Sequence, residues 1–489
     1  MAKFMQQKKP VIRSVKYNVV MNVILTTSSF LFPLVTVPYV SRVLGPDGMG
    51  LVAWAQTFIS YFALVALLGI NNYGIRECAK VRDDLRALSQ TTKELMTFLL
   101  ISTTIVYVIY CILVFLIPRT RDHLVLMAIF SVGIWFTSCG VEWFYQAIEQ
   151  YGYITIRNII LKVVGLVLMF LLIHNTNDYL GYGIVVVVGS YTSNIFNIIR
   201  LRKYVDFKQC GKLDLRRHIK PMISFAVSNI SSGMYGQIDM LLIGFWGSGL
   251  IVGLYQFVVK IKMICITAIT SVGSVMLPRI SYFEANGGHD STTKLVGKNI
   301  NFLFISSLAI IAALAICGEP IILLLGGPQY LDSRLALILI APVLLFASAN
   351  TVLSQYMVAT GREKAYAAVN FTGLLLGIMY GVVLIPSMGL NGAALGASLC
   401  EFTILIIRVI VLRKSIREIL RDTDVFKILA GFMMAFGITT WVKHCVESLL
   451  PVLQLGICAL VFLVVYFGIL LILKEEFIQS LYVNRKIKI

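Results

Sequence analysis

The sequence predicts an all-α integral membrane protein with about fourteen transmembrane helices: two six-helix halves related by pseudo-two-fold symmetry, plus two C-terminal helices. Three observations lead there. Of the 489 residues 58% are hydrophobic and 13% charged, half the charged share of a soluble domain, and mean hydropathy is +0.85. At about 20 apolar residues per crossing, that is material for about fourteen spans and little else. The 42 Lys and Arg residues gather in the short segments between apolar runs, and on alternate ones. A Gly-rich turn that leads into Gly-Leu occurs twice, at Gly45 to Leu51 and Gly247 to Leu254, with an offset of 203 residues.

Reading apolar runs against turn and charge signals places the first six helices at about 18–41, 48–70, 95–117, 123–146, 155–174 and 180–199. The next six fall at about 221–245, 249–277, 299–322, 332–358, 365–386 and 390–412, and the last two at about 426–443 and 452–473. The chain then divides into an N-terminal half (1–199), a basic linker (200–220), a second half (221–412) and a C-terminal pair of helices with its tail (413–489). Gly45-Pro46-Asp47-Gly48, Gly326-Gly327-Pro328 and Pro386-Ser387-Met388-Gly389 combine helix-ending and turn-forming residues, so their flanking helices form antiparallel hairpins.

A net charge of +18 would suggest a nucleic-acid surface in a soluble chain; here the basic residues set orientation instead, and no nucleic-acid partner is expected. Thirty-three of the 42 lie on one side, in the N-terminal segment, residues 71–93, the 200–220 linker, the other alternate loops and the C-terminal tail. The opposite side carries only Arg42, Arg119, Arg121, Arg334 and Lys443. Both termini are therefore expected in the cytoplasm of a plasma-membrane protein. The apolar stretch after the basic N-terminus runs past the roughly 7 to 15 residues of a signal peptide, so it reads as a first span.

Other counts point away from a resident cofactor. Nine cysteines are scattered with no C-x-x-C pair, and five histidines show no i, i+4 spacing, so neither a disulfide framework nor a zinc site is expected. Gly211-Lys212-Leu213 and Gly297-Lys298-Asn299 lack the hydroxyl that holds magnesium in a phosphate-binding loop, so no nucleotide motor of that type is expected.

The informative residues are charges inside spans, each costing about 2.5 to 3.5 kcal/mol at the bilayer centre. Asp239 on the seventh helix and Lys260 on the eighth stand about eight and twelve residues from the turn between them, a mismatch of about one helical turn that a lysine stem can cover. Two readings follow: a pair facing a transport cavity, or a buried pair that fixes helix packing. Lys262 reads as packing or lipid-interface placement. The same arithmetic relates Glu142 and Lys162 across the turn near residue 150, where snorkelling towards water is the simpler account, and Trp143, Phe144 and Tyr145 read as an interfacial aromatic belt. Glu401 and Arg408 share one helix face as a structural pair. Arg42, and Arg76 with Glu77 and Lys80, sit at helix ends and could line the two mouths of a cavity.

These residues resemble a known family. Pro38-Tyr39 with Arg42-Val43-Leu44-Gly45-Pro46-Asp47-Gly48-Met49-Gly50, then Gly74-Ile75-Arg76-Glu77 and Glu142-Trp143-Phe144-Tyr145-Gln146, are similar to the signature run of oligosaccharide repeat-unit flippases. Ile238-Asp239-Met240-Leu241-Leu242-Ile243-Gly244, Val252-Gly253-Leu254-Tyr255 with Lys260, Leu277-Pro278-Arg279-Ile280-Ser281, and Gln355 with Gly361-Arg362-Glu363-Lys364 continue it in order over about the first 420 residues. The chain departs from the pattern at Gln146-Ala147, where Gly commonly follows Gln, and at Gln256 to Val259, often Ala-rich in relatives.

The resemblance implies the Wzx-type family of the multidrug/oligosaccharidyl-lipid/polysaccharide exporter (MOP) superfamily, with a MATE-like fold. It implies a flippase, not an enzyme, that moves undecaprenyl-diphosphate-linked oligosaccharide units to the outer leaflet of the bacterial plasma membrane for capsule, O-antigen or exopolysaccharide synthesis. Alternating access to a cationic cavity would use Lys260 and Arg42 against the diphosphate, with Asp239 exchanging a cation or holding Lys260. No cofactor is expected; a coupling ion, H+ or Na+, is left open, and partners would be membrane lipids and the polysaccharide polymerase and chain-length machinery. Alternatives are a MATE-like cation-coupled antiporter, a lipid II or teichoic-precursor flippase, and, further off, a membrane glycosyltransferase or polymerase.

Overall fold

The computed structural model describes residues 13–207, 211–270, 289–421, 423–475 and 477–479. The basic residues before Arg13, Lys208, Cys210, the Leu277 to Ser281 motif, the expected end of the eighth helix and the last basic residues lie outside them.

Among the described residues regular structure is entirely helical. The chain divides into two compact units, Met1–Phe245 and Trp246–Ile489. The first holds α1 (Val15–Ala66), α2 (Ile70–Lys80), α3 (Leu85–Leu116), α4 (Pro118–Arg121), α5 (Leu124–Cys139) and α6 (Glu142–Ala147). It continues with α7 (Tyr151–Leu172), α8 (Tyr179–Ser190), α9 (Ser193–Leu201), α10 (Arg216–Tyr235) and α11 (Ile238–Trp246), whose last residue enters the second unit. The division falls one helix later than the basic linker, because α10 packs against α1 and α2.

The second unit begins with α12 (Gly249–Thr270) and α13 (His289–Leu325). A 3-10 turn (Pro328–Ser333) leads into α14 (Arg334–Ile340) and α15 (Val343–Ala359). Then follow α16 (Glu363–Val411), α17 (Arg413–Arg421), α18 (Val425–Cys445) and α19 (Pro451–Ile472). Helices α18 and α19, beyond the two expected six-helix halves, pack against α13 through Ile305, Ala312, Ile428, Ala435, Phe462 and Tyr466.

Two helices are too long to be single spans. At 52 and 49 residues, α1 and α16 would each measure about 75 Å if straight, more than twice a hydrocarbon core of about 30 Å. Each is a hairpin broken at a glycine: Gly45 (φ 70°, ψ 178°) before Pro46, and Gly389 (φ 54°, ψ −124°) after Pro386. Around Gly45 the chain folds back, so that the Ser41 hydroxyl lies 3.5 Å from the Met49 sulfur, eight residues on. In α16 the Tyr380 and Thr403 hydroxyls lie 3.1 Å apart although 23 residues separate them. Both backbone conformations belong to regions that side chains other than glycine's avoid.

Among the described residues ten helices are long and apolar enough to cross a membrane, eleven if the bent pair Pro328–Ile340 and Val343–Ala359 is one span. The chain is a multi-pass membrane protein, with fewer separate apolar helices than the expected fourteen. The two hairpins each run as one helix, and the polar first turns of α10 keep it out of that count. Other differences lie at helix ends. Helix α3 starts at Leu85 rather than near 95, because the Asp84 carboxylate caps it by accepting from the amides of Arg86 (2.9 Å) and Ala87 (3.2 Å). Its first turns are polar, and hydropathy registers only the apolar part of a helix.

Candidate functional site

Two motifs of the first unit, Gly74 to Glu77 and Glu142 to Gln146, meet where α2 packs on α6, while Tyr39 and Leu44 of the first motif pack with Met169 and Ile173 in a separate core. Gly74 of α2 lies flat against the Trp143 indole of α6; a Cβ there would stand 2.7 Å from the ring. Trp143, Phe144 and Tyr145 are 2%, 0% and 0% exposed and form a core with Ile70, Tyr73 and Tyr204. They are not the interfacial belt that the sequence suggested. Aromatic residues beside a carboxylate look the same in either setting, and here the left-handed Val141 (φ 40°) starts a short separate helix that turns its aromatic side inward.

Glu142 opens that helix and takes a partner other than the expected one. Its Oε2 accepts from Arg157 Nη2 at 2.9 Å, and Arg157 is 5% exposed in its side chain. Arg157 also donates to Asn197 Oδ1 and, at 3.3 Å, to Asn158 Oδ1. Asn197 in turn donates to the Gly140 carbonyl, and its own carbonyl accepts from the Tyr145 hydroxyl at 2.7 Å. One carboxylate and two amides thus accept from the terminal nitrogens of a buried guanidinium, which offsets part of the cost of burying it. Lys162, instead of reaching Glu142, donates to Ser28 Oγ (3.1 Å) and Ser29 Oγ (2.8 Å) on α1.

The second unit builds a comparable network on α15 and α16. Asn350 donates to Glu401 Oε2 at 2.7 Å, while its carbonyl accepts from Arg408, which also donates to Asn370 Oδ1 at 2.8 Å. Glu401 and Arg408, expected as a pair, therefore meet through Asn350. The helix endings just before these networks also match. The Gln150 amide donates to the Tyr145 carbonyl (2.9 Å) past the left-handed Glu149, and the Arg362 amide to the Met357 carbonyl (2.8 Å) past Gly361.

Arg76 and Glu77 lie side by side on α2. Glu77 Oε1 accepts from Arg76 Nε at 3.1 Å and Lys80 Nζ at 2.8 Å. Burial alone would raise the Glu77 carboxyl, but the hydrogen bonds and charges of Lys80 and Arg76 outweigh it and hold the group below the ordinary carboxylate value. The Arg76 guanidinium stands 5.1 Å from the Phe225 ring centroid.

The basic linker is fastened to this region by a cluster that sequence reasoning missed. Glu94, 1% exposed, accepts from the Asp214 amide (3.0 Å) and Arg217 Nε (3.0 Å), and its Oε2 lies 2.9 Å from His218 Nε2. The other His218 nitrogen lies 2.7 Å from the Tyr73 hydroxyl. The signal was present in Glu94, an acid at the edge of an apolar run, opposite Arg217-His218.

Asp239 sits in the first turn of α11, half-buried, with its Oδ1 accepting from the Met240 amide at 2.8 Å. The closing glycine of its motif, Gly244, abuts the Trp54 ring of α1, where a Cβ would not fit. Arg42 is exposed on α1. Lys260, half-buried, and Lys262, 9% exposed, belong to α12 in the second unit.

The family model described as polysaccharide biosynthesis protein matches residues 15–284, and the MatE model matches residues 225–383. A candidate O-antigen transporter of Shigella dysenteriae is 22% identical, over 80% of this chain and 98% of its own length. The capsular polysaccharide biosynthesis protein CapF of Staphylococcus aureus is 23% identical over 54% of this chain and 67% of its own. Among solved structures, the lipid II flippase MurJ in an inward closed conformation has a similar fold, with TM-score 0.68, 15% identity, and coverage of 94% of this chain and 100% of that one. An inward-facing multidrug resistance MATE family transporter of the MOP superfamily superposes with TM-score 0.60 and 12% identity over 84% of this chain and 98% of its own.

Proposed function

Because the chain belongs to the polysaccharide biosynthesis protein family, we propose that it is a flippase for lipid-linked oligosaccharides, carrying undecaprenyl-diphosphate-linked repeat units from the cytoplasmic to the outer leaflet of a bacterial plasma membrane. The observation that carries this reading is the family match over residues 15–284, within a chain whose fold is that of MurJ along 94% of its length. The relatives' names, O-antigen transporter and capsular polysaccharide biosynthesis protein, point to the same cargo class.

The chemistry is consistent. A diphosphate-linked glycan cannot cross hydrocarbon unaided, whereas its prenyl tail can stay in lipid. Lys260 and Arg42 are the proposed charge partners of the diphosphate, and Asp239 the proposed site of cation exchange. An interior-negative potential drives anions outward by about 2.3 kcal/mol per charge per 100 mV, so in this reading the potential, an H+ or Na+ gradient or removal of product outside sets the direction. The basic asymmetry of the loops supports cytoplasmic termini.

The test is mass spectrometry of polyprenyl-linked intermediates in a deletion strain, with leaflet location probed by impermeant periodate. Complete repeat units trapped on the cytoplasmic leaflet are expected, and complementation by D239A or K260A should fail at normal protein level. Normal complementation by both variants removes those residues from the mechanism. The MatE match over residues 225–383 favours one second reading, a cation-coupled small-molecule antiporter. Unchanged lipid-linked glycans with raised drug sensitivity would select it.

A further inference from the structure

The first unit carries a cavity of about 610 Å³ between the start of α1, the start of α7 and the end of α9. Its two ends differ in chemistry. At one end stand three guanidinium groups, Arg13, Arg157 and Arg200, with Tyr17 and Tyr153. At the other, Ile156, Ile160, Phe196 and Ile199 form an apolar wall that is 54%, 56%, 48% and 64% exposed. In a multi-pass membrane protein an exposed apolar wall faces lipid.

The polar end has more positive charge than its surroundings neutralise. The Arg200 guanidinium stacks 3.9 Å from the Tyr153 ring centroid, and that of Arg157 lies 5.6 Å from the same centroid. Two cations therefore flank one ring. Arg157 has Glu142, but Arg200 and Arg13 have no carboxylate partner among the described residues. Among the described residues that line the cavity the one carboxylate, Glu149, is already held by Arg82 at 2.6 Å and by Asn18 Nδ2 at 3.3 Å. Arg200 Nε and the Tyr153 hydroxyl in this wall are buried without a hydrogen-bond acceptor, while the Arg157 side chain lies within hydrogen-bond reach of the Tyr153 oxygen. A buried donor without an acceptor costs about 1–3 kcal/mol, so these two, beside the uncompensated positive charge, favour an anionic acceptor.

We propose that this cavity binds one anionic phospholipid of the surrounding bilayer, its phosphodiester against Arg13, Arg200 and the Tyr153 edge and its acyl chains along Ile156, Ile160 and Ile199. A membrane-facing apolar wall that ends in a basic pocket at helix termini is the pattern of a headgroup site. The volume of about 610 Å³ is ample for a headgroup. The cavity lies wholly within the first unit and does not involve Asp239 or Lys260, so the inference stands independently of the cargo proposed above.

The experiment is native mass spectrometry of the purified full chain, delipidated and titrated with phosphatidylglycerol, phosphatidylcholine or undecaprenyl diphosphate. Selective retention of one phosphatidylglycerol is expected, falling about fivefold in R13Q and again in R200Q. Ile160→Asp, which leaves all three cations in place but charges the acyl wall, should lower retention as far, while R200K keeps most of it. Thermal unfolding of each variant checks that the fold is retained. Equal retention of phosphatidylcholine, unaltered retention in R13Q and R200Q, displacement by millimolar inorganic phosphate, or preference for undecaprenyl diphosphate lost in the same variants would each overturn the assignment.

Discussion

Replacing Glu142 tests the buried network at its most informative point. Arg157 is 5% exposed while Glu142 is 36% exposed, so the two ends of the ion pair sit in unlike surroundings. Breaking a fully buried pair by removing one partner costs about 3–5 kcal/mol. Here water screens the Glu142 half, and Asn197 and Asn158 still accept from Arg157, so E142A should cost about 1–2 kcal/mol. R157M should cost more, since it leaves Asn197 and Glu142 without their shared donor. The double variant should recover about 1–2 kcal/mol of coupling, because the second change no longer breaks an interaction. The assay is a double-mutant cycle, with circular dichroism following unfolding as dodecyl sulfate is titrated into maltoside micelles. The same cycle run on E142A and K162M should be additive within about 0.5 kcal/mol, since Lys162 is held by Ser28 and Ser29. Coupling below about 0.5 kcal/mol for the first cycle, or above about 1 kcal/mol for the second, would refute the assignment of partners.

Three further outcomes follow from the geometry. G45A places a side chain in a glycine-only backbone region and should cost about 1–3 kcal/mol, read as reduced folded yield in fluorescence size-exclusion chromatography; unchanged yield would mean that the reversal is not strained. E94A removes the acceptor shared by Asp214, Arg217 and His218, and should speed trypsin cleavage at Lys212 and Arg217 about tenfold without loss of helix content; equal digestion rates would show that the linker is held elsewhere. Because Glu77 is held below its ordinary value of 4.5, its contribution is complete above that pH and fades as pH falls through the lowered value. E77Q should therefore flatten the acid side of the thermal stability profile below about pH 4.5 and leave neutral pH nearly unchanged in slope, and an unaltered acid limb would contradict the pairing.

The hairpins could be read from sequence because Gly45-Pro46 and Pro386 with Gly389 state a local backbone requirement that distant packing cannot override. The partner of Glu142 could not. Counting from the turn near 150 sets Glu142 about eight and Lys162 about twelve residues away, a mismatch that the lysine stem would have to cover, whereas Arg157 lies seven residues past that turn and level with Glu142. What the count does not show is that Arg157 is buried and so needs the carboxylate, while Lys162 finds hydroxyl partners on α1. Glu94 and His218 were hidden for a related reason: hydropathy locates the part of a helix that needs lipid, while α3 and α10 continue past it into polar turns that pack on each other. Trp143 to Tyr145 show a third limit. Composition tells that aromatic rings prefer an amphipathic setting, but only the neighbouring Gly74 and Asn197 decide whether that setting is a bilayer surface or a protein core.

The reversals at Gly45 and Gly389 also bear on how the chain is made. Neither has a spare residue between its arms, so the second arm begins to wind as soon as the first is complete. Each reversal therefore ties the depth and direction of its second arm to those of the first, with no loop length to adjust between them.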